Sequence, residues 1–213
     1  TATLLKVATN SAHQTLDRGQ LLSSLLSPNL DLKKYLLTLM CFKHVYQFIE
    51  PQLLNAEKNL RINSDCLYRS RLTELSATLQ VDKLRSYVSE DELFAISTLS
   101  QQAEQRLHHA IQSGTFPSLA KQLNLQNYWG VRYVLDGSCH GATILLPLFA
   151  RRLPNQDPAL LMYWQALASL THVWPNCIRQ LDVVNTNTSD FHHIKTAAIE
   201  MFDCFITTFS IEE

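Results

Sequence analysis

The chain has 213 residues, enough for one domain, with a formal net charge of −1 and 46% hydrophobic residues against only five glycines and seven prolines. That balance supplies a buried core and excludes the basic surface a nucleic-acid partner needs. It also leaves no block of like charge for a membrane surface, and no apolar run reaches bilayer length: Ala142 to Ala150 is too short and contains Pro147.

Apolar residues recur at helical spacing nearly throughout, with no strand alternation, internal repeat, low-complexity tract or long linker. The opening TATLLKVATNSAHQTLD is polar at helical intervals, unlike a signal peptide. It predicts a first helix over residues 2–18 with Leu5, Ala8, Ala12 and Leu16 on one face. Ser27-Pro28-Asn29 breaks the chain, and Asp31 caps a long helix to about Ile49, where Glu50-Pro51 bends or ends it. Ser64 or Asp65 starts a third helix, to about Leu79. Ser89 and Glu92 make a capping box for a fourth, which stops at Gly114. After a short piece containing Pro117, a long helix runs from about Leu125 to Arg151, with Pro147 kinking its last turns. Asp157-Pro158 opens the next, Pro175 interrupts or kinks it, and Thr188 or Ser189 caps the last, which ends near Phe209. The expected fold is all-α, a single multi-helix domain over residues 1–213. Five scattered cysteines (Cys41, Cys66, Cys139, Cys177, Cys204) lack metal-ligand spacing and read as reduced, buried thiols of a cytoplasmic protein.

Two segments carry chemistry. On the first helix, Ala8-Thr9 is followed by His13 and, one turn later, Asp17. A neutral imidazole is a good iron ligand, and a carboxylate one turn away orients its second nitrogen. Lys6 precedes His13 by seven residues, so the two lie within about 20° on the helix surface. The plain alternative is a surface helix with a half-buried histidine and ordinary charges. The second segment is Tyr128-Trp129-Gly130-Val131-Arg132-Tyr133-Val134-Leu135-Asp136-Gly137-Ser138-Cys139-His140-Gly141-Ala142. Each mid-helix glycine costs about 1 kcal/mol relative to alanine, so three on one face need compensation. A flat ligand against bare backbone supplies it; so does close helix–helix packing.

Together these segments resemble the haem oxygenase family, particularly its bacterial biliverdin-producing branch. The order of helices matches over essentially the whole chain, and Tyr133-Val134-Leu135-Asp136-Gly137-Ser138-Cys139-His140-Gly141-Ala142 is similar to the family's glycine-kinked helix. The resemblance implies a haem sandwiched between the first helix and that kinked helix. His13 becomes the axial iron ligand, Asp17 its orienting partner (the family more often has Glu), and Lys6 a propionate contact. Gly137, Ser138, His140 and Gly141 form the catalytic, distal face. Phe202 becomes a pocket wall, with Phe205 and Phe209 on its helix face open to either wall or core packing, and Arg132, Tyr133 and Arg179 are further candidates for the propionate edge.

Ser138 stands where animal enzymes carry a distal aspartate, Ala142 replaces a second glycine, and His140 departs from the pattern altogether. Its options are coordinating iron, hydrogen-bonding bound oxygen, or facing a neighbouring helix. The implied activity cleaves haem b, both cofactor and substrate, with O2 and an external electron donor (a reductase or ferredoxin-type protein). The products are biliverdin, CO and Fe(II). The alternative is a non-catalytic haem- or bilin-binding protein, or a haem-free interaction module, on the same fold.

Overall fold

In the computed structural model, which describes residues 1–153 and 157–210, every regular element is helical. The α-helices run α1 (Ala2–Arg18), α2 (Gln20–Leu25), α3 (Leu32–Leu60), α4 (Leu72–Thr78), α5 (Val81–Leu84), α6 (Glu90–Gln112), α7 (Leu125–Arg152), α8 (Pro158–Ser169), α9 (Trp174–Val184) and α10 (Thr188–Phe209). None of the described helices is long and apolar enough to cross a membrane.

Caps set most boundaries. The side chains of Asp31, Asn124, Asp157 and Asn187 accept backbone N–H bonds at the starts of α3, α7, α8 and α10. The Ser89–Glu92 capping box opens α6 as expected, and Gly114, at φ 76°, lies just past its end. The last helix is capped by Asn187, one residue before the expected Thr188. Pro175 falls in the first turn of α9, where its missing N–H costs nothing, and a 3-10 turn over Leu170–Val173 separates α9 from α8.

Two expectations are corrected. Pro51 does not end the second long helix: α3 continues to Leu60, because Ile49, Leu53 and Ala56 carry its buried face past the proline. The helix expected from Ser64 is only a 3-10 turn over Ser64–Cys66, and α4 starts at Leu72. Buried carboxylates of α3 capture the amides that a helix there would use. Glu57 accepts from the Tyr68 backbone N–H, and Glu50 from the Arg71 backbone N–H at 2.8 Å.

The same two carboxylates belong to a buried charge network that ties α3 and the 63–71 segment to α7. Asp136 accepts from Arg132 Nε at 2.8 Å and from Arg71 Nη2 at 3.2 Å. Arg132 Nη1 also reaches the Cys66 carbonyl and the Tyr128 hydroxyl, and Tyr128 donates to Glu57 at 2.7 Å. Glu50 accepts from the Tyr68 and Ser70 hydroxyls.

The helix that unites the bundle is α10, which packs against α7, α1, α6 and α3. Its α7 contact is unusually close. A Cβ on Gly130 would lie 2.3 Å from the Ile194 carbonyl oxygen and 3.0 Å from the Ala197 Cβ, so only glycine fits. Phe205 and Phe209 point into an aromatic cluster with Phe42, so they are core rather than pocket wall.

Two stability predictions follow from these contacts. Gly130→Ala gains helix propensity but must push α7 off α10, and is expected to lower unfolding free energy in urea by about 1–3 kcal/mol. A gain of about 1 kcal/mol, the propensity difference alone, would contradict the packing account. Asp136→Ala strands two buried guanidinium groups and is expected to cost about 3–5 kcal/mol; a loss below about 1 kcal/mol would show the network to be dispensable.

Candidate functional site

Contacts along α10 fix how α1 and α7 lie relative to each other. Gln126 bonds Asp190 at 3.0 Å and Gly130 meets Ile194, so α7 and α10 advance together. His13 meets Phe202, with ring centroids 5.5 Å apart, and Leu16 and Gly19 share a hollow with Ile206 and Phe209. Thus α1 also runs parallel to α10, and α1 and α7 are parallel neighbours on the same floor. Tyr133 of α7 lies near Thr9 of α1, whose own hydroxyl donates to the Leu5 carbonyl. Counting one turn along the parallel helices puts His13 level with Gly137, and a second turn puts Asp17 level with Gly141.

His13 projects from α1 with its side chain 59% exposed. Its Nδ1 lies 2.8 Å from Asp17 Oδ2. A carboxylate only accepts, so in the neutral imidazole this contact places the proton on Nδ1 and leaves the lone pair on Nε2. Phe202, 7% exposed, holds one side of the imidazole edge-on. Lys6 is exposed on the His13 face, and Arg179 is exposed on α9.

The three glycines of α7 divide between the two explanations open from sequence. Gly130 is the close helix–helix contact described above. A Cβ on Gly141 would meet nothing within 4 Å, so bundle packing does not explain this glycine. Gly137 lies between these cases: a Cβ there would sit 3.3 Å from Cζ3 of Trp174, the first residue of α9. The Ser138 hydroxyl turns back to the Leu135 carbonyl at 2.6 Å. His140 is exposed, and its ring stands perpendicular to Trp174 at 5.5 Å.

Arg132 is not at an exposed edge. At 2% exposure, its guanidinium is committed to Asp136, Cys66 and Tyr128 in the core, which removes it from the propionate edge. Tyr133 is half-buried between Thr9 and Trp174, and burial raises its phenol pKa above the ordinary value. Trp174 is the residue sequence reasoning missed; the Trp-Pro pair after a helix break marks a first turn, but not which face it covers. All five cysteines are buried. No cluster of His, Cys, Asp or Glu among the described residues forms a metal site unaided. A flat ligand that brings its own metal, as a macrocycle brings iron, asks a protein for one donor atom and an unobstructed face. The free Nε2 of His13, the bare face at Gly141 and the apolar edge at Phe202 fit such a flat ligand.

The family model for heme oxygenase matches residues 1–210. Among solved structures, a heme oxygenase from Leptospira interrogans matches with a TM-score of 0.65 at 22% identity, covering 98% of each chain, a likeness of fold. A search of curated proteins finds none that matches. With the family model spanning nearly every residue, the chain belongs to the haem oxygenase family of enzymes.

Proposed function

We propose that this chain is a haem oxygenase that cleaves haem b to biliverdin, CO and Fe(II), using O2 and electrons from an external reductase or ferredoxin-type donor. One observation supports the reading above all others. A histidine with its proton pinned to Nδ1 by Asp17 stands on α1, level with the glycine-bearing face of α7, in a chain of this family. The bound haem supplies the redox chemistry and the oxygen-binding iron.

The protein's own residues bind, orient and exclude. His13 would hold the haem iron through Nε2, Asp17 would orient the imidazole through Nδ1, and Phe202 would fix its ring plane. Gly141 allows a flat ring to approach the α7 backbone without a side chain between them. Lys6 and Arg179 are exposed cations suited to the carboxylates of the ring's polar edge. His140 acts as a distal neighbour able to hydrogen-bond water or oxygen; its ring is engaged with Trp174, which argues against a resting bis-histidine centre. The domain spans residues 1–213, and its buried cysteines suit the reducing cytoplasm.

Hemin titration followed by aerobic turnover with a reductant tests the function. A Soret band that decays as biliverdin forms is expected. A stable band without product would identify a haem- or bilin-binding protein, and no band a haem-free module. His13→Ala should convert the ferric spectrum to that of loosely held hemin, with added imidazole restoring the wild-type band. An unchanged spectrum and affinity would remove His13 as the ligand.

Gly141→Leu separates ligand contact from packing. Open space surrounds the missing Cβ, so the variant should fold with stability equal to wild type or higher by about 0.5–1 kcal/mol, as helix propensity dictates. Its hemin affinity should fall by about tenfold or more, a difference of at least 1.4 kcal/mol. Unimpaired hemin binding and turnover would contradict the assignment of this face.

A further inference from the structure

The glycine face of α7 is not bare along its length. Trp174 stands against it through three residues spaced along one stripe, Tyr133, Gly137 and His140. The indole is 5.6 Å from the Tyr133 ring, perpendicular to the His140 ring at 5.5 Å, and within 3.3 Å of the Cβ position that Gly137 lacks. It is therefore held on two sides by rings and beneath by backbone. At the start of α9, with Pro175 next, its own main chain is tied into a helix end. An indole has few side-chain rotations to lose and is stiff in its plane, so it behaves as a wall more than a flexible filler.

The place of α9 puts that wall beside the His13 level of the cleft. Asp182, near the far end of α9, bonds the amino terminus of Thr1 at 2.8 Å, and Asn185 bonds the Thr1 hydroxyl at 3.1 Å. With its last turn at the start of α1 and its first turn at Tyr133 and Gly137, α9 runs back along the α1–α7 pair. Gly137 keeps its missing side chain because the indole lies there, and Gly141, one turn on, keeps its own with nothing against it.

We infer that Trp174 is a specificity-determining residue of the flat-ligand site: its indole fills the space over Gly137 and confines the macrocycle to the Gly141 side. This inference rests on the proposed haem-binding function and goes beyond it by naming the side chain that sets the ring's in-plane position. A ring stopped on one side by an indole is fixed relative to the distal face, and the meso carbon presented there is fixed with it.

The test uses the whole chain with three tryptophans labelled as 5-fluorotryptophan, their fluorine resonances assigned through single Trp→Phe variants. Addition of gallium protoporphyrin IX, a diamagnetic flat probe, should shift the Trp174 resonance most, ahead of buried Trp129 and Trp164. In the ferric cyanide complex, Trp174→Ala should redistribute the haem-methyl proton shifts, which report in-plane orientation, and the biliverdin isomer ratio should change with them. Trp174→Phe, which keeps a flat wall, should stay close to wild type; it also serves should the alanine variant not fold, since Trp174 must still show the largest probe shift in the wild type. Probe binding with an unmoved Trp174 resonance, or an unchanged methyl pattern in a folded Trp174→Ala, would overturn the inference and leave the function standing. A wild-type chain that binds neither hemin nor the gallium probe would instead remove the proposed function, and this inference with it.

Discussion

Gly130 lets α7 lie directly on the backbone of α10, and the candidate site is built outward from that contact. A methyl group at this position would have to occupy the Ile194 carbonyl oxygen, so the helix separation at this point is set by main chain rather than by adjustable side chains. Because α1 packs on the same α10 floor, the spacing of α1 and α7 is inherited from two independent contacts with one helix. Beyond Tyr133, the Trp174 indole stands over Gly137 and nothing lies against Gly141. A parallel pair on a common floor suits the flat ligand proposed for this chain.

The buried charges act on the same helix from the opposite side. Two arginines and three carboxylates are removed from water in one network, an arrangement that holds a geometry more than it adds stability. Its geometric product is the rotation of α7. Arg132 and Asp136 must face Arg71, Cys66 and Glu57, which turns Tyr133, Gly137 and His140 toward Trp174 of α9. The 63–71 segment pays for this with its secondary structure, since its amides serve Glu50 and Glu57 in place of a helix.

What the sequence revealed and what it hid follow from the range of the interactions involved. Caps and apolar spacing are local, so α1, α7 and the starts of α6 and α8 are legible to within a residue, and the His13–Asp17 pair, one turn apart on α1, is legible with them. The loss of the Ser64 helix is not local: it depends on carboxylates of another helix reaching its amides. Pro51 likewise signals a stop that the buried face of α3 overrides. The glycine stripe was readable as a stripe, but each glycine answers to a different neighbour: Ile194, Trp174, or none. Arg132 beside Tyr133 looked like a cation near a ligand edge; its pairing with Asp136 one turn on is the clue that it serves the core. Trp174 carries no local signal of its role, because only the packing of α9 on α7 brings it over Gly137.

The flat-ligand site proposed for this chain lies between α1 and α7, beside the first turn of α9 and over α10. Hydrogen–deuterium exchange of the whole chain with and without hemin measures that location directly. Added hemin should slow amide exchange in α1 around residues 9–17, in α7 around residues 133–145 and in the first turn of α9, leaving α3, α6 and α8 unchanged. Protection confined to other helices, with none at α1 and α7, would contradict it.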